Sequence, residues 1–375
     1  MPEVQEVFRM ATQKIRPEPG ALERQFEGQR RRSARRKAGA VGLAAALAIT
    51  AAVVAIQASR DTAGGGGAVP AHQGSEAPVI TVSGNGFGFS ADGSRLFADD
   101  GAGGGVVYDA ITGQTLQTVD LERGDGTVGF SPDGELFVTA RGCGKCDQKS
   151  TDKALHTYVN DTATGEQLWD FQKACCFVAF SPDGRFLALP FAGHTRVVDL
   201  ETGEPVNEFD AFGNFTFSPD GRQLIVGSAE KGTVAHVFDV GGPGGAPVLT
   251  LRGSTTGEPF VTQVAWSPDG STLVTTADDR DAVVWDAATG ERRFAIPSPS
   301  GRFTSAAFGV DPDRVATGSS DGTTIVWELS SDGALPIFTE HVDMGDQHWL
   351  GVALSPDGTR AMASNGSETT VWSFS

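Results

Sequence analysis

From residue 77 onward the chain runs in short segments whose apolar and polar positions alternate with period two, separated by clusters of Ser, Pro, Asp and Gly. Within residues 178–189, "VAFSPDGRFLAL", Val178 and Phe180 lead into the pentapeptide Phe180-Ser181-Pro182-Asp183-Gly184, and Phe186, Leu187 and Leu189 follow it. Alternation on both sides of a turn cluster predicts two antiparallel strands joined by a hairpin. Pro182 presets φ at the first corner, Asp183 bonds back to its own turn, and Gly184 takes the left-handed conformation that closes a bulged hairpin.

The same letters return as "FSADG" at Phe89, "FSPDG" at Phe130, Phe180 and Phe217, "WSPDG" at Trp266, a degenerate "FGVDPD" at Phe308 and "LSPDG" at Leu354. These seven copies recur about every 44 residues, within the period range of propeller blades. A second turn recurs downstream, as "DAITG" from Asp109, "DTATG" from Asp161, "DLETG" from Asp199 and "DAATG" from Asp286. Each period therefore holds four strands. A small sheet that cannot bury both faces alone is satisfied by packing radially, so the pattern predicts an all-β, seven-bladed β-propeller of four-stranded antiparallel blades. The last repeat stops at "TTVWSFS", one strand short, while "APVITVSG" before the first pentapeptide is a strand without a blade. Pairing Val79 to Val82 with the last blade closes the ring and hides two sheet edges.

Before residue 77 the period changes. Val4, Val7, Phe8, Ala11 and Ile15 fall at helical spacing, predicting an amphipathic helix that Pro17 and Pro19 break, with a second helical stretch from Ala21. Residues 38–56, "AGAVGLAAALAITAAVVAI", are nineteen in a row without a charge, the length of a membrane-spanning helix. Nine are alanine, so a buried core helix competes; the abutting Arg30, Arg31, Arg32, Arg35, Arg36 and Lys37 favour a span with a cytoplasmic amino terminus. Ala58 offers a cleavage position, but the preceding basic stretch is long for a signal peptide, and an uncleaved anchor is the preferred reading. Residues 57–76, rich in Gly, Ala, Pro and Ser, read as a flexible linker. The expected organisation is a cytoplasmic arm at 1–37, a span at 38–56, the linker and an extracytoplasmic propeller at 77–375.

Composition sharpens this picture. Forty-nine glycines suit many tight turns, and the alanine-rich, lysine-poor usage fits a GC-rich bacterial genome. In residues 1–37 ten Lys or Arg face five Glu, net +5; with a total of −18, the other 338 residues carry −23. Such an acidic domain repels phosphate, so no nucleic acid is expected as a ligand. A protein or peptide partner on the outer face is expected instead, and the apolar stripe of residues 1–37 offers a docking helix for a cytosolic one.

The runs "VVWDAATGE", "TIVWEL" and "GSSDGTTIVW" resemble WD40-repeat β-propellers, of a membrane-anchored bacterial type, over nearly all of residues 77–375. The resemblance implies a binding scaffold and no catalytic activity. The Trp-Asp pair is intact only at Trp285-Asp286; it becomes Tyr108-Asp109, Val198-Asp199, Phe238-Asp239, Trp327-Glu328 and Trp372-Ser373 elsewhere. The family's Gly-His before the first strand is absent, so the tetrad built on that His is not carried over. A local similarity links "NDTATGEQLWDF" to the tryptophan-docking repeat of quinoprotein dehydrogenases, which also carry adjacent cysteines; the sister segments end in Gln117, Glu208 and Phe294 instead of a tryptophan. An enzyme of that or another propeller kind on the outer face is the alternative.

Site motifs are few, and no catalytic or cofactor-binding residue and no cofactor is expected. "GSSDG" at 318–322 has the letters of a nucleophile elbow but sits between two strands, where it reads as a hairpin turn. Glu340, His341, Asp343, Asp346 and His348 fall within nine residues, yet their spacing fixes no metal geometry and a solvated loop is preferred. Cys143 and Cys146 lie in an inserted loop with Arg141, Lys145, Lys149 and Lys153, and Cys175 and Cys176 lie at the entry to the next blade. In an oxidising space these four suggest disulfides between the loops, which would contribute about 3 kcal/mol; a four-thiolate zinc site is the rival. Asp99, Asp100, Glu230, Asp278, Asp279, Asp281, Asp321 and Glu368 are assigned to turns on the same face. The expected binding face comprises Arg141, Lys145, Asp278, Asp279, Asp281, His341, His348 and Trp349.

Overall fold

The computed structural model describes residues 80–374 apart from 91, 100–103, 120–124, 142–154, 175–176, 229–232, 254–260, 278–280, 299–300 and 332. The arm, span and linker expected at 1–76 lie outside the described residues, among which no helix is long and apolar enough to cross a membrane.

The described residues form seven four-stranded antiparallel sheets. In chain order, blades 1 to 6 occupy residues 86–119, 125–172, 179–209, 215–252, 261–296 and 303–341. Blade 7 takes three strands from the end of the chain, Gly351–Leu354, Arg360–Ser364 and Glu368–Ser373, and its outer strand, Ile80–Ser83, from the beginning. The closing register pairs Ile80 with Val371, Thr81 with Thr370, Val82 with Thr369 and Ser83 with Glu368. The ring thus closes as the truncated last repeat predicts.

The core lies between blades. Val138 and Val159 of blade 2 pack with Leu187, Leu189 and Val198 of blade 3, and Phe209 of blade 3 packs with Leu224 and Phe238 of blade 4. Val274 and Ile296 of blade 5 meet Phe303 and Val315 of blade 6, and Phe338 of blade 6 meets Trp372 of blade 7. Between blades 1 and 2 the rings of Phe97 and Phe130 stack at 4.6 Å. Burying a side chain of this kind contributes about 2 kcal/mol, and no blade has such burial without its neighbour.

The pentapeptide turn works through its Ser as well as its Asp. Ser90, Ser131, Ser181, Ser218, Ser267 and Ser355 each donate through Oγ to the Asp two positions on, at 2.5–2.6 Å. In blade 3, Ser181 Oγ also accepts the amide of Phe186 at 2.8 Å, and Asp183 Oδ1 accepts the amide of Arg185 at 3.1 Å. Gly184, at φ 70, closes the turn through its N–H to Ser181 O. The degenerate copy in blade 6 lacks the Ser, and Asp311 takes over, its carbonyl accepting Arg314 N and its Oδ1 accepting Asp313 N.

Candidate binding face

Antiparallel blades sort their connections onto two faces. Turns between first and second strands and between third and outer strands share one face; second-to-third hairpins and interblade connections share the other. On the first face the Asp side chains are committed to backbone. Hydrogen bonds from Ser90 and Ser94 hold the Asp92 carboxyl down at about 2. Arg293 and Thr289 do the same for Asp286, and Ser355 with Thr359 for Asp357, each also lowered to about 2. A carboxylate satisfied by its own turn is a structural group, as the repeat pattern predicts.

At three consecutive seams, from blade 1 to blade 4, the outer strand is tied to the next blade through one recurring position. Eight residues after the Asp that opens a third-to-outer turn, a side-chain N–H donates to the carbonyl just after the corresponding Asp of the following blade. Gln117 Nε2 donates to Thr162 O, Trp169 Nε1 to Leu200 O at 3.2 Å, and Asn207 Nδ2 to Val240 O at 3.2 Å and Gly242 O at 3.1 Å. Asn207, not Glu208, is therefore the structural counterpart of Trp169. Trp169 makes a seam contact of the same kind as an amide side chain makes elsewhere. Its indole lies over Gly203, at φ 77, where an added Cβ would come within 2.2 Å of Trp169 Cζ3.

On the opposite face, the expected residues fall into two groups. Lys145, Asp278, Asp279, Cys143, Cys146, Cys175 and Cys176 lie outside the described residues, as do Asp100 and Glu230. The backbone of Arg141 pairs with His156, Asp281 is half-buried, and His341, His348 and Trp349 are exposed. Two expected surface acids are engaged in turns: Asp99 Oδ1 accepts Asn85 N at 3.1 Å, and Asp321 Oδ1 accepts Ser319 Oγ at 2.6 Å. The latter bond, with Gly322 at φ 91, makes 318–322 a strand-to-strand hairpin rather than a nucleophile elbow. No three of Glu340, His341, Asp343, Asp346 and His348 come together in a group able to hold a metal ion.

The connection from blade 6 to blade 7, residues 342–350, is held at both ends. Val342 N donates to Gly322 O at 2.9 Å, Asn365 Nδ2 to Asp343 O at 2.8 Å, Leu350 N to Thr304 Oγ1 at 3.1 Å, and Ser305 Oγ to Leu350 O at 2.6 Å. Val342, Met344 and Leu350 are buried beneath it. Above them Asp346, Gln347, His348 and Trp349 face solvent, Trp349 at 46% exposure with its ring edge over Gly351. A large aromatic presented by an anchored loop has the character of an interface hot spot, because little conformational entropy remains to be lost on binding.

Two blades show a further signature. Trp285 Nε1 donates to Thr275 Oγ1 at 2.9 Å and Trp327 Nε1 to Thr317 Oγ1 at 2.7 Å, tying third strand to second. The architecture is that of a seven-bladed β-propeller. Residues 245–286 and 292–328 match the family model described as WD domain, G-beta repeat. Each matched stretch runs from the outer strand of one blade through three strands of the next, so the sequence repeat itself crosses a seam.

Among curated proteins, an uncharacterized WD repeat-containing protein of Synechocystis is 30% identical over 172 residues, 44% of this chain and 46% of that one. Echinoderm microtubule-associated protein-like 2 of Homo sapiens is 30% identical over 166 residues, 42% of this chain and 23% of that one. The chain thus matches less than half the length of these relatives. Among solved structures, a chain of the mitotic checkpoint complex crystal structure is similar with a TM-score of 0.64 at 17% identity, covering 87% of this chain and 99% of that one. At that identity the likeness is one of fold.

Proposed function

We propose that this chain is a membrane-anchored, extracytoplasmic β-propeller that binds a protein partner and performs no chemistry of its own. The observation that carries the reading is Trp349, exposed on a loop anchored by four hydrogen bonds, on the face away from the turn carboxylates. WD-repeat propellers are protein-interaction scaffolds as a class, which supports the same reading. The anchor rests on the uncharged stretch at 38–56 and its basic flank, which set residues 1–37 inside, available to a cytosolic partner, and the propeller outside. The four cysteines are then in an oxidising space. Described residues that flank their two segments are bonded to each other: Lys173 N donates to Leu155 O at 2.7 Å and Thr157 Oγ1 to Ala174 O at 2.9 Å. These flanks support bridges between the 142–154 and 175–176 segments.

The test is side-specific proximity labelling in cells, with the labelling enzyme fused to either end of the full chain. The reading expects one reproducible set of extracytoplasmic neighbours at the carboxyl end, lost in Trp349→Ala. Labelling of cytosolic proteins from the carboxyl end would overturn the topology, and an unchanged set in Trp349→Ala would overturn the face.

A further inference from the structure

A second site lies away from Trp349, at the seam between blades 2 and 3. A cavity of about 340 Å³ opens there between the outer strand Gln167–Gln172 and the strands Phe186–Phe191 and His194–Asp199. Its volume is in the range of binding clefts. Buried Leu189 and half-buried Phe171 and Phe191 line it, and Arg196 sets its guanidinium carbon 3.2 Å from the centre of the Phe191 ring.

The blade 3 hairpin next to Phe191 has a two-residue turn. Ala192 and Gly193, at φ 50 and 89, turn the chain directly from Phe191 to His194. Ala192 and Lys173 are the two non-glycine residues with positive φ among the described residues; Lys173 lines this cavity, and Ala192 follows Phe191, which also lines it. A left-handed conformation costs a residue with a Cβ about 1–2 kcal/mol, and such strain collects at functional sites.

The charges around the cavity are unequal. Asp170 is bonded to His156 Nδ1 at 2.7 Å, and Glu208 takes Arg196 Nε at 3.0 Å and Nη2 at 2.7 Å. Both carboxylates are engaged, whereas the ammonium of exposed Lys173 makes no ion pair with a described residue. The backbone of Lys173 is bonded to Leu155, where the insertion that began after Arg141 rejoins the fold.

We infer that this seam is a second docking site, taking an extended segment of a partner protein in which a carboxylate side chain is next to an aromatic or branched aliphatic one. The apolar side chain fills the cavity against Leu189, Phe171 and Phe191, and the carboxylate meets Lys173 in a charge-assisted hydrogen bond.

A random dodecapeptide phage library panned against the purified full chain tests this. Enriched peptides are expected to pair Asp or Glu with Phe, Trp, Leu or Ile. Their synthetic, fluorescein-labelled forms should bind Lys173→Gly about tenfold more weakly, while binding Trp349→Ala unchanged. Glycine accepts the backbone of position 173 without strain, so Lys173→Gly melts no lower than the parent and weaker binding cannot be laid to unfolding. Enrichment of basic peptides, affinity within about twofold in Lys173→Gly, or no enrichment at all would each overturn the site. None of these outcomes bears on the Trp349 face, which the cellular labelling decides separately.

Discussion

Arg360 Nη1 donates to Ala110 O at 2.7 Å, joining residues 250 apart in the chain. Its Nη2 reaches Gly93 O at 3.0 Å, and its guanidinium carbon lies 5.4 Å from the centre of the Phe89 ring. Arg360 is 8% exposed and belongs to blade 7, whereas all three partners belong to blade 1. Together with the Ile80–Ser83 strand it ties the beginning of the chain to its end. Replacing Arg360 by Met leaves two buried carbonyls without donors and should lower stability by about 2–3 kcal/mol. Chemical denaturation of the full chain measures this, and Arg360→Lys, with one donor group in place of a fork, should fall between.

The Trp169–Leu200 contact separates packing from hydrogen bonding. Trp169→Phe keeps an aromatic ring over Gly203 but removes the Nε1 donor, and should cost about 1 kcal/mol. Gly203→Ala should cost more, because φ 77 and a Cβ 2.2 Å from the indole both oppose it. Thermal melting of the two variants checks the order.

Acid sensitivity follows from the turn carboxylates. Asp92, Asp286 and Asp357 titrate at about 2 in the fold against an ordinary 3.8. A group whose folded pKa is depressed contributes stability that is fully present above its unfolded pKa and is lost as pH falls toward the folded value. Melting temperature should therefore change little from these groups between pH 7 and about 5, then fall between about pH 4 and 2. Ser355→Ala, which removes the main hydrogen bond to Asp357, should raise that carboxyl toward its ordinary value and flatten part of the slope.

Trp349→Ala should abolish partner capture while leaving the melting temperature within about 2 °C, since the exposed indole contributes little to the core. Affinity purification of the two full chains, side by side with calorimetry, reads both quantities.

The ring was legible in the sequence because seven Ser-Pro-Asp-Gly-like turns mark the same hairpin and the missing last strand has its match before the first turn. The role of the pentapeptide Ser was not assigned, although it stands in six of the seven copies; a hydroxyl bonding backbone has no signature beyond that recurrence. The seam donors Gln117 and Asn207 were hidden by their chemical variety, since an amide and an indole perform one task, and the signal was a constant offset of eight from the turn Asp. His348 and Trp349 could be placed on a loop but not shown to be exposed, because burial is decided by Val342, Met344 and Leu350 beneath them, while His341, expected in the same loop, ends the outer strand of blade 6. The seam cavity had no sequence signal at all: its lining comes from the end of one blade's outer strand, Asp170 to Lys173, and from Leu189, Phe191 and Arg196 of the next, residues that only the ring brings together.

The proposed outward-facing binding surface is tested most directly at position 349. Trp349→benzoylphenylalanine in the full chain, irradiated in intact cells and then exposed to a membrane-impermeant biotinylating reagent, should yield a biotinylated adduct with one protein. The same probe at Asp220, in a turn on the other face, should yield none. A labelled adduct only at Asp220, or an adduct at 349 that biotin never reaches, would contradict an outward-facing binding surface.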